Sequence, residues 1–223
     1  MMQIIDVEQG SPEWFSARMG IPTASEFSTV MAKGRGGEDS KTRKTYMLKL
    51  AGEIITGEPM ETFTNVHMER GKAMEDEARD LYCFMGDADA MRVGFIRNGD
   101  KGCSPDSLIG EDGALEIKTK LPHLLIELLL KDEFPPEHKA QCQGVLWVAE
   151  REWIDIGIYW PKLPLFVKRA YRDDGYIANM AGAVSLFNEE LAATVEQIRR
   201  FGDPRPSTMA MLQASVAQIG SAA

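Results

Sequence analysis

Apolar residues recur along the chain with two different periods, and the change from one to the other divides it into elements. Within Lys41–Thr56, Tyr46, Leu48, Leu50, Ile54 and Ile55 return near helical spacing, and the same spacing runs over 64–85 and again over 175–201. These three stretches predict amphipathic helices. A short helix is predicted over 11–19, with Ser11 placed to cap it and Pro12 at the first helical position, where a missing N–H costs nothing. Another is predicted over 23–32, opened by Thr23 and Glu26 at capping-box spacing. The intervening 34–40, rich in glycine and charge, reads as a flexible loop.

Further along, the period falls to two. Strands are predicted over 92–97, Ser107–Ile109 and 114–119, the last two joined into a hairpin by the turn-forming Gly110, Glu111, Asp112 and Gly113. Helices follow over Pro122–Lys131 and 136–150, then strands over 153–160 and 165–171. Helices, a mixed sheet with crossover helices, and a closing helix indicate an α/β fold. The low-charge segment 203–223, introduced by Pro204 and Pro206, reads as a flexible tail or an interaction segment beyond a single domain over 1–202.

Composition narrows the class without changing that outline. A chain of 223 residues with 44% hydrophobic and 26% charged residues suits one soluble domain. No apolar run approaches the ~20 residues of a membrane helix, and the first residues lack the basic start and apolar core of a signal peptide, so the cytoplasm is expected. Cys83, Cys103 and Cys142 are too few and scattered for a zinc cluster or a disulfide framework. His67, His123 and His138 show no ligand spacing and read as structural or surface residues. The formal charge of -9 excludes coating of nucleic acid by bulk electrostatics, though not an enzyme with a local basic channel.

The hairpin carries the candidate chemistry. Asp106 stands at the mouth of one strand, while Glu116 and Lys118 lie two apart on the other and so share a face, with Ile117 pointing away. Two carboxylates supply hard oxygen ligands of the kind Mg2+ prefers, and the Ile117 carbonyl is placed to be a third. Lys118 beside such an ion can hold and polarise a water against a phosphodiester. A solvated hairpin face remains the bland alternative, because Glu and Lys are common on the wet side of short strands.

Pro-Asp, nine residues, then Glu-x-Lys resembles the PD-(D/E)XK nuclease superfamily. RMGIPTASEF, ERGKAMEDEARDLY, CSPDSLIGEDGALEIKTKLP and HKAQCQGVLWVAE together resemble, in order and approximate spacing, the lambda-exonuclease or YqaJ-type viral recombinase family. The likeness runs from about Glu8 to Phe201. It implies a PD-(D/E)XK core, a central mixed β-sheet flanked by helices, and a Mg2+-dependent 5'-to-3' exonuclease on double-stranded DNA ends, with Mn2+ able to substitute and two ions per site. Asp106, Glu116, Ile117 and Glu75 are the implied metal site, with Lys118 and Gln141 completing the catalytic set. Arg18, Ser25 and Ser104 match a pocket for the 5'-terminal phosphate, and Trp14 a residue beside the DNA path.

Residue chemistry agrees without deciding each case. Arg18 offers a fork to phosphate, and Ser25 falls in the first turn of a predicted helix. Gln141 is equally readable as a packing residue, with Gln143 facing away from it, and Trp14 as a core tryptophan. Glu75, Asp76 and Glu77 alone would read as a solvated acidic face. Lys41, Arg43, Lys44 and Lys49 are the most basic stretch, suited to a phosphate backbone or to the wet face of a helix. The resemblance also implies a homotrimeric ring and a phage single-strand annealing protein as partner, in a bacterial cytoplasm. An endonuclease using the same three residues, and a non-catalytic DNA-end-binding module, remain open.

Overall fold

In the computed structural model, residues 1–34, 36–37, 40–60, 66–86 and 88–201 are described. The expected tail over 203–223, part of the 34–40 loop, Thr64 and the His67 side chain lie outside them. The chain runs β1 Met2–Ile5, α1 Pro12–Arg18, a 3-10 turn at Ala24–Glu26, α2 Phe27–Met31, α3 Lys41–Thr56 and α4 Val66–Gly86. It continues through β2 Ala90–Met91, β3 Phe95–Asn98, β4 Lys101–Cys103, β5 Ser107–Ile109, β6 Gly113–Thr119 and α5 Pro122–Lys131. A second 3-10 turn at Pro136–His138 leads into α6 Lys139–Val148, followed by β7 Trp153–Tyr159, β8 Phe166–Tyr171 and α7 Asp174–Arg199.

The central sheet has strand order β2-β5-β6-β7-β8 and is mixed: β6 and β7 are parallel, and the other pairings antiparallel. A parallel pair needs a crossover, and α5 and α6 supply it. Helices cover both faces. On one, Ala114, Ile154, Ile156 and Ile158 pack in a core that includes Leu50 of α3, Leu146 of α6 and Phe187 of α7. On the other, Leu115 and Ile117 meet Met74, Ala78 and Tyr82 of α4. Alternation along β6 therefore sends Glu116 to the face of α6 and Ile117 to that of α4. This is the expected α/β arrangement of a mixed sheet flanked by helices.

Local chemistry explains the helix ends. Ser11 Oγ accepts from the Trp14 N–H and Ser40 Oγ from the Arg43 N–H, each satisfying an orphan amide of a first turn. The long α7 buries Ile177, Met180, Val184, Phe187, Leu191 and Val195 at three- and four-residue intervals.

Four expectations are corrected. The stretch 23–32 is a 3-10 turn followed by the short α2, and Thr23 makes no capping bond because its hydroxyl is engaged with Arg18 and Ser25. Likewise, 136–150 divides into a 3-10 turn and α6. The strand expected over 92–97 begins only at Phe95, as β3, which joins a separate sheet of order β1-β3-β4, while β2 just before the stretch joins the central sheet. Gly94 separates them: a Cβ there would lie 2.1 Å from the Val7 carbonyl oxygen, so only glycine lets the N-terminal segment cross so closely. Of the apolar positions named for α3, Leu50 is buried, but Leu48 and Ile55 are exposed, and Met47 and Ala51 complete its buried stripe.

Candidate active site

β5 and β6 form the hairpin predicted from the sequence, with Ser107 opposite Leu115. The Asp106 N–H donates to the Leu115 carbonyl (3.1 Å), and Asp106 Oδ2 accepts from the Ile117 N–H, so the aspartate is clamped at both ends to β6. Glu116 is buried, and its Oε1 accepts from Lys118 Nζ at 2.6 Å and from Gln141 Nε2. The glutamine reaches it from α6, which lies close over the 3-10 turn because residue 144 is glycine. A Cβ there would come within 2.6 Å of the Phe27 ring. Gln143 points elsewhere, bonding the Tyr171 carbonyl and the Asp173 N–H.

The charges are not balanced. Burial pushes the Asp106 carboxyl well above the usual carboxylate range, and Glu116 and Glu75 push it further. Burial alone pulls the Lys118 ammonium down, but the Glu116 and Asp106 carboxylates together outweigh it and hold Lys118 above the ordinary lysine value. Lys118 here is a hydrogen-bond donor to Glu116. Glu116 Oε2 is buried and has no hydrogen-bond partner. An orphaned carboxylate oxygen beside a second carboxylate that resists ionisation fits a hard divalent cation, whose charge would satisfy both.

Glu75 comes from α4, on the opposite face of the sheet, and is half-buried beside Arg79, whose Nη2 donates to Glu75 Oε1. Among the described residues, no three His, Cys, Asp or Glu side chains converge into a ready metal cage. The donor pair already in place is Asp106 and Glu116, with the Ile117 backbone next to Glu116 in the chain and its N–H donating to Asp106.

Next to this pair lies an anion-seeking cluster. The Arg18 guanidinium rests on the Trp14 ring, 4.2 Å from its centroid, and Arg18 Nη2 donates to Thr23 Oγ1 at 3.2 Å. Thr23 Oγ1 lies 3.2 Å from Ser25 Oγ. The Trp14 indole N–H donates to Ser104 Oγ at 2.9 Å and to the Gly94 carbonyl at 3.2 Å. One face of Trp14 is thus taken by Arg18, and its N–H fixes the serine two residues before Asp106. A pocket of about 200 Å³ brings Trp14, Arg18, Ser25 and Ser104 together with Asp106, Glu116, Lys118 and Gln141. Of the ten residues singled out in the sequence, Glu75 and Ile117 do not line it.

The structure adds residues to which the sequence assigned no part in the site. Thr23 and Gln9 line the same pocket, and Gln9 Nε2 donates to the Val93 and Pro105 carbonyls. Thr23 stood inside a quoted motif. Gln9 carried no signal of its own. Ser25 sits in a three-residue 3-10 turn, so the helix-terminus argument for its anion affinity gives way to the hydroxyl contacts. Arg43 is not a DNA contact: it is buried, donating to the Val30 carbonyl and to Glu190 Oε2. Lys41, Lys44 and Lys49 are exposed, as is His123, whereas His138 Nε2 is buried without a hydrogen-bond partner.

The sequence profile of the YqaJ-like viral recombinase domain matches residues 13–152. Among solved structures, the chain is similar to an alkaline exonuclease, LHK-Exo, from Laribacter hongkongensis. Its complex with dAMP is 34% identical and superposes with a TM-score of 0.77, covering 85% of this chain and 97% of that one. A second structure of that enzyme gives 33% identity and a TM-score of 0.76 over the same shares of the two chains. A phage related exonuclease from Haemophilus somnus 129PT shares the fold at 12% identity and a TM-score of 0.63, over 80% of this chain and 96% of that one. No curated protein matches the chain.

Proposed function

We propose, given that the chain belongs to the YqaJ-like viral recombinase family, that it is a Mg2+-dependent exonuclease degrading one strand of linear double-stranded DNA from 5' to 3'. The 3' single-stranded overhang it leaves would feed phage-type recombination by strand annealing. Nuclease activity is the family's own character. The observation that supports the finer reading is the shared pocket, in which Arg18, Ser25 and Ser104 lie beside Asp106, Glu116 and Lys118.

A terminal phosphate in that pocket meets an arginine already oriented by Trp14 and two serine hydroxyls, a donor set suited to a dianion. Seating the end there holds the adjoining phosphodiester against Lys118. The part of Lys118 is to hold the attacking water or a phosphate oxygen by hydrogen bond, while Gln141 holds Glu116 in orientation. Asp106 and Glu116 are the residues that would hold Mg2+, and Mn2+ in its place. A bound divalent ion would supply the charge that activates water and offsets the pentacovalent phosphate. Hydrolysis breaks the P–O3' bond: the water oxygen becomes part of the new 5'-terminal phosphate on the shortened strand, and a proton passes to the departing 3' oxygen of the released nucleotide.

In this reading the enzyme works as a ring of three subunits and hands its overhang to an annealing protein. Light scattering would return three times the 24.8 kDa of one chain. The deciding assay follows nucleotide release from linear duplexes with a 5'-phosphate or a 5'-hydroxyl, with Mg2+ or EDTA, and from a covalently closed circle. Release from linear DNA only, faster with the phosphate and abolished by EDTA, is expected. Cutting of the circle would make it an endonuclease, and binding of ends without cutting a non-catalytic module.

A further inference from the structure

We infer that Arg79 is a positioning residue for the acidic centre, its buried guanidinium holding Glu75 and the start of β5 in the relation that lets the centre take a divalent cation. This rests on the metal-dependent reading above. Arginine is seldom buried unless paired, and the Arg79 side chain is only 6% exposed. Its donors are distributed over two elements. Nη2 bonds Glu75 Oε1 and Nη1 bonds Asp76 Oδ1 at 2.9 Å, both on α4. Nε donates to Ser107 Oγ at 3.0 Å, and Nη2 also points at the Asp106 carbonyl at 3.4 Å.

Ser107 closes the connection, because its hydroxyl donates to that same Asp106 carbonyl at 2.6 Å. One planar fork therefore touches an acidic side chain from one face of the sheet and, through Ser107, the backbone of the carboxylate on the other. Glu75 belongs electrostatically to the same centre, since it and Glu116 both raise Asp106. Arg79 offsets Glu75 and prevents its half-exposed carboxylate from swinging into solvent. A lysine would keep the charge but not span these acceptors, which need the rigid fork. If Arg79 were only an ion pair along α4, neither the fork nor Ser107 would matter to cation binding.

The test is calorimetric titration of the full chain with Mn2+, without DNA, for the wild type, Arg79→Lys, Arg79→Gln and Ser107→Ala, alongside metal-free thermal melting. Both Arg79 variants are expected to bind Mn2+ about 10- to 100-fold more weakly, the usual effect of losing a group that orients metal ligands. Ser107→Ala should shift the same way by less, and lysine should not rescue. Wild-type or tighter affinity in a folded Arg79 variant would overturn the inference. Should both Arg79 variants melt before titration, an unchanged affinity in Ser107→Ala would overturn it alone. A wild-type chain that takes up no Mn2+ would overturn the metal-dependent reading itself, which the wild-type titration reveals separately.

Discussion

Lys118 Nζ lies 2.6 Å from Glu116 Oε1, two residues along one face of β6, and the same oxygen accepts from Gln141. The carboxylate is thereby fixed from two elements, while its other oxygen is left without a partner. Lys118→Ala removes the nearest donor to the reacting phosphate but neither carboxylate. A kcat loss of about 100- to 10,000-fold is expected, the span of a positioned proton donor, with Mn2+ affinity retained. Single-turnover cleavage of a linear duplex measures it, and a variant within tenfold of wild type would remove Lys118 from the chemistry.

Burial and the neighbouring Glu116 both disfavour the ionised form of Asp106, a cost that an ion would relieve. Saturating Mn2+ should raise the melting temperature. At a hundredfold excess over Kd the gain is about 2.7 kcal/mol, or about 5–10 °C for a chain of this size. Asp106→Asn and Glu116→Gln should abolish the rise. Since the fold disfavours a charge at 106, Asp106→Asn should melt no lower than wild type without metal. A Mn2+-dependent rise that persists in both variants would place the ion elsewhere.

The hairpin was legible because its logic is local: strict alternation puts Glu116 and Lys118 on one face, whatever surrounds them. Lys41–Thr56 and Pro122–Lys131 were equally plain, bounded by Ser40 and by Pro122. The failures have a common cause, which is contact distant in sequence. Gly94 looks like one residue of a strand until Val7 crosses it. β1 and β4 are four and three residues long and pair through a sheet that no periodicity announces. Thr23 has capping-box spacing, but Arg18 and Ser25 claim its hydroxyl. In the acidic run 75–77 the resemblance singled out Glu75, and only the fold shows that Arg79 joins it to Ser107, 28 residues away.

Arg43 shows the same limit for charge. Within a basic stretch it reads as a phosphate contact, yet it binds Glu190, 147 residues on, and the Val30 carbonyl, with its guanidinium 5.2 Å from the Phe187 ring centroid. Arg43→Ala should therefore act on stability rather than on DNA. A loss of about 1.5–3 kcal/mol is expected, the worth of a hydrogen bond to a charged group. Urea denaturation would register it, with DNA affinity of the folded variant unchanged. A fall in affinity without a fall in stability would return Arg43 to the nucleic-acid surface.

The cysteines give a test of burial around the same site. Burial pushes the Cys142 thiol up to about 12, with Glu116 adding to the effect, and raises Cys103 well above its ordinary value for the same two reasons. A raised thiol pKa keeps the sulfur protonated until the pH climbs past it, and only the thiolate attacks a disulfide reagent. At pH 8 both should thus be silent in the native protein, leaving the half-buried Cys83 to react. Titration with an aromatic disulfide reagent should count one thiol in buffer and three in guanidinium chloride. Rapid native reaction at Cys142, located by mass spectrometry, would mean that α6 opens over Glu116 and that the Gln141 contact is not maintained in solution.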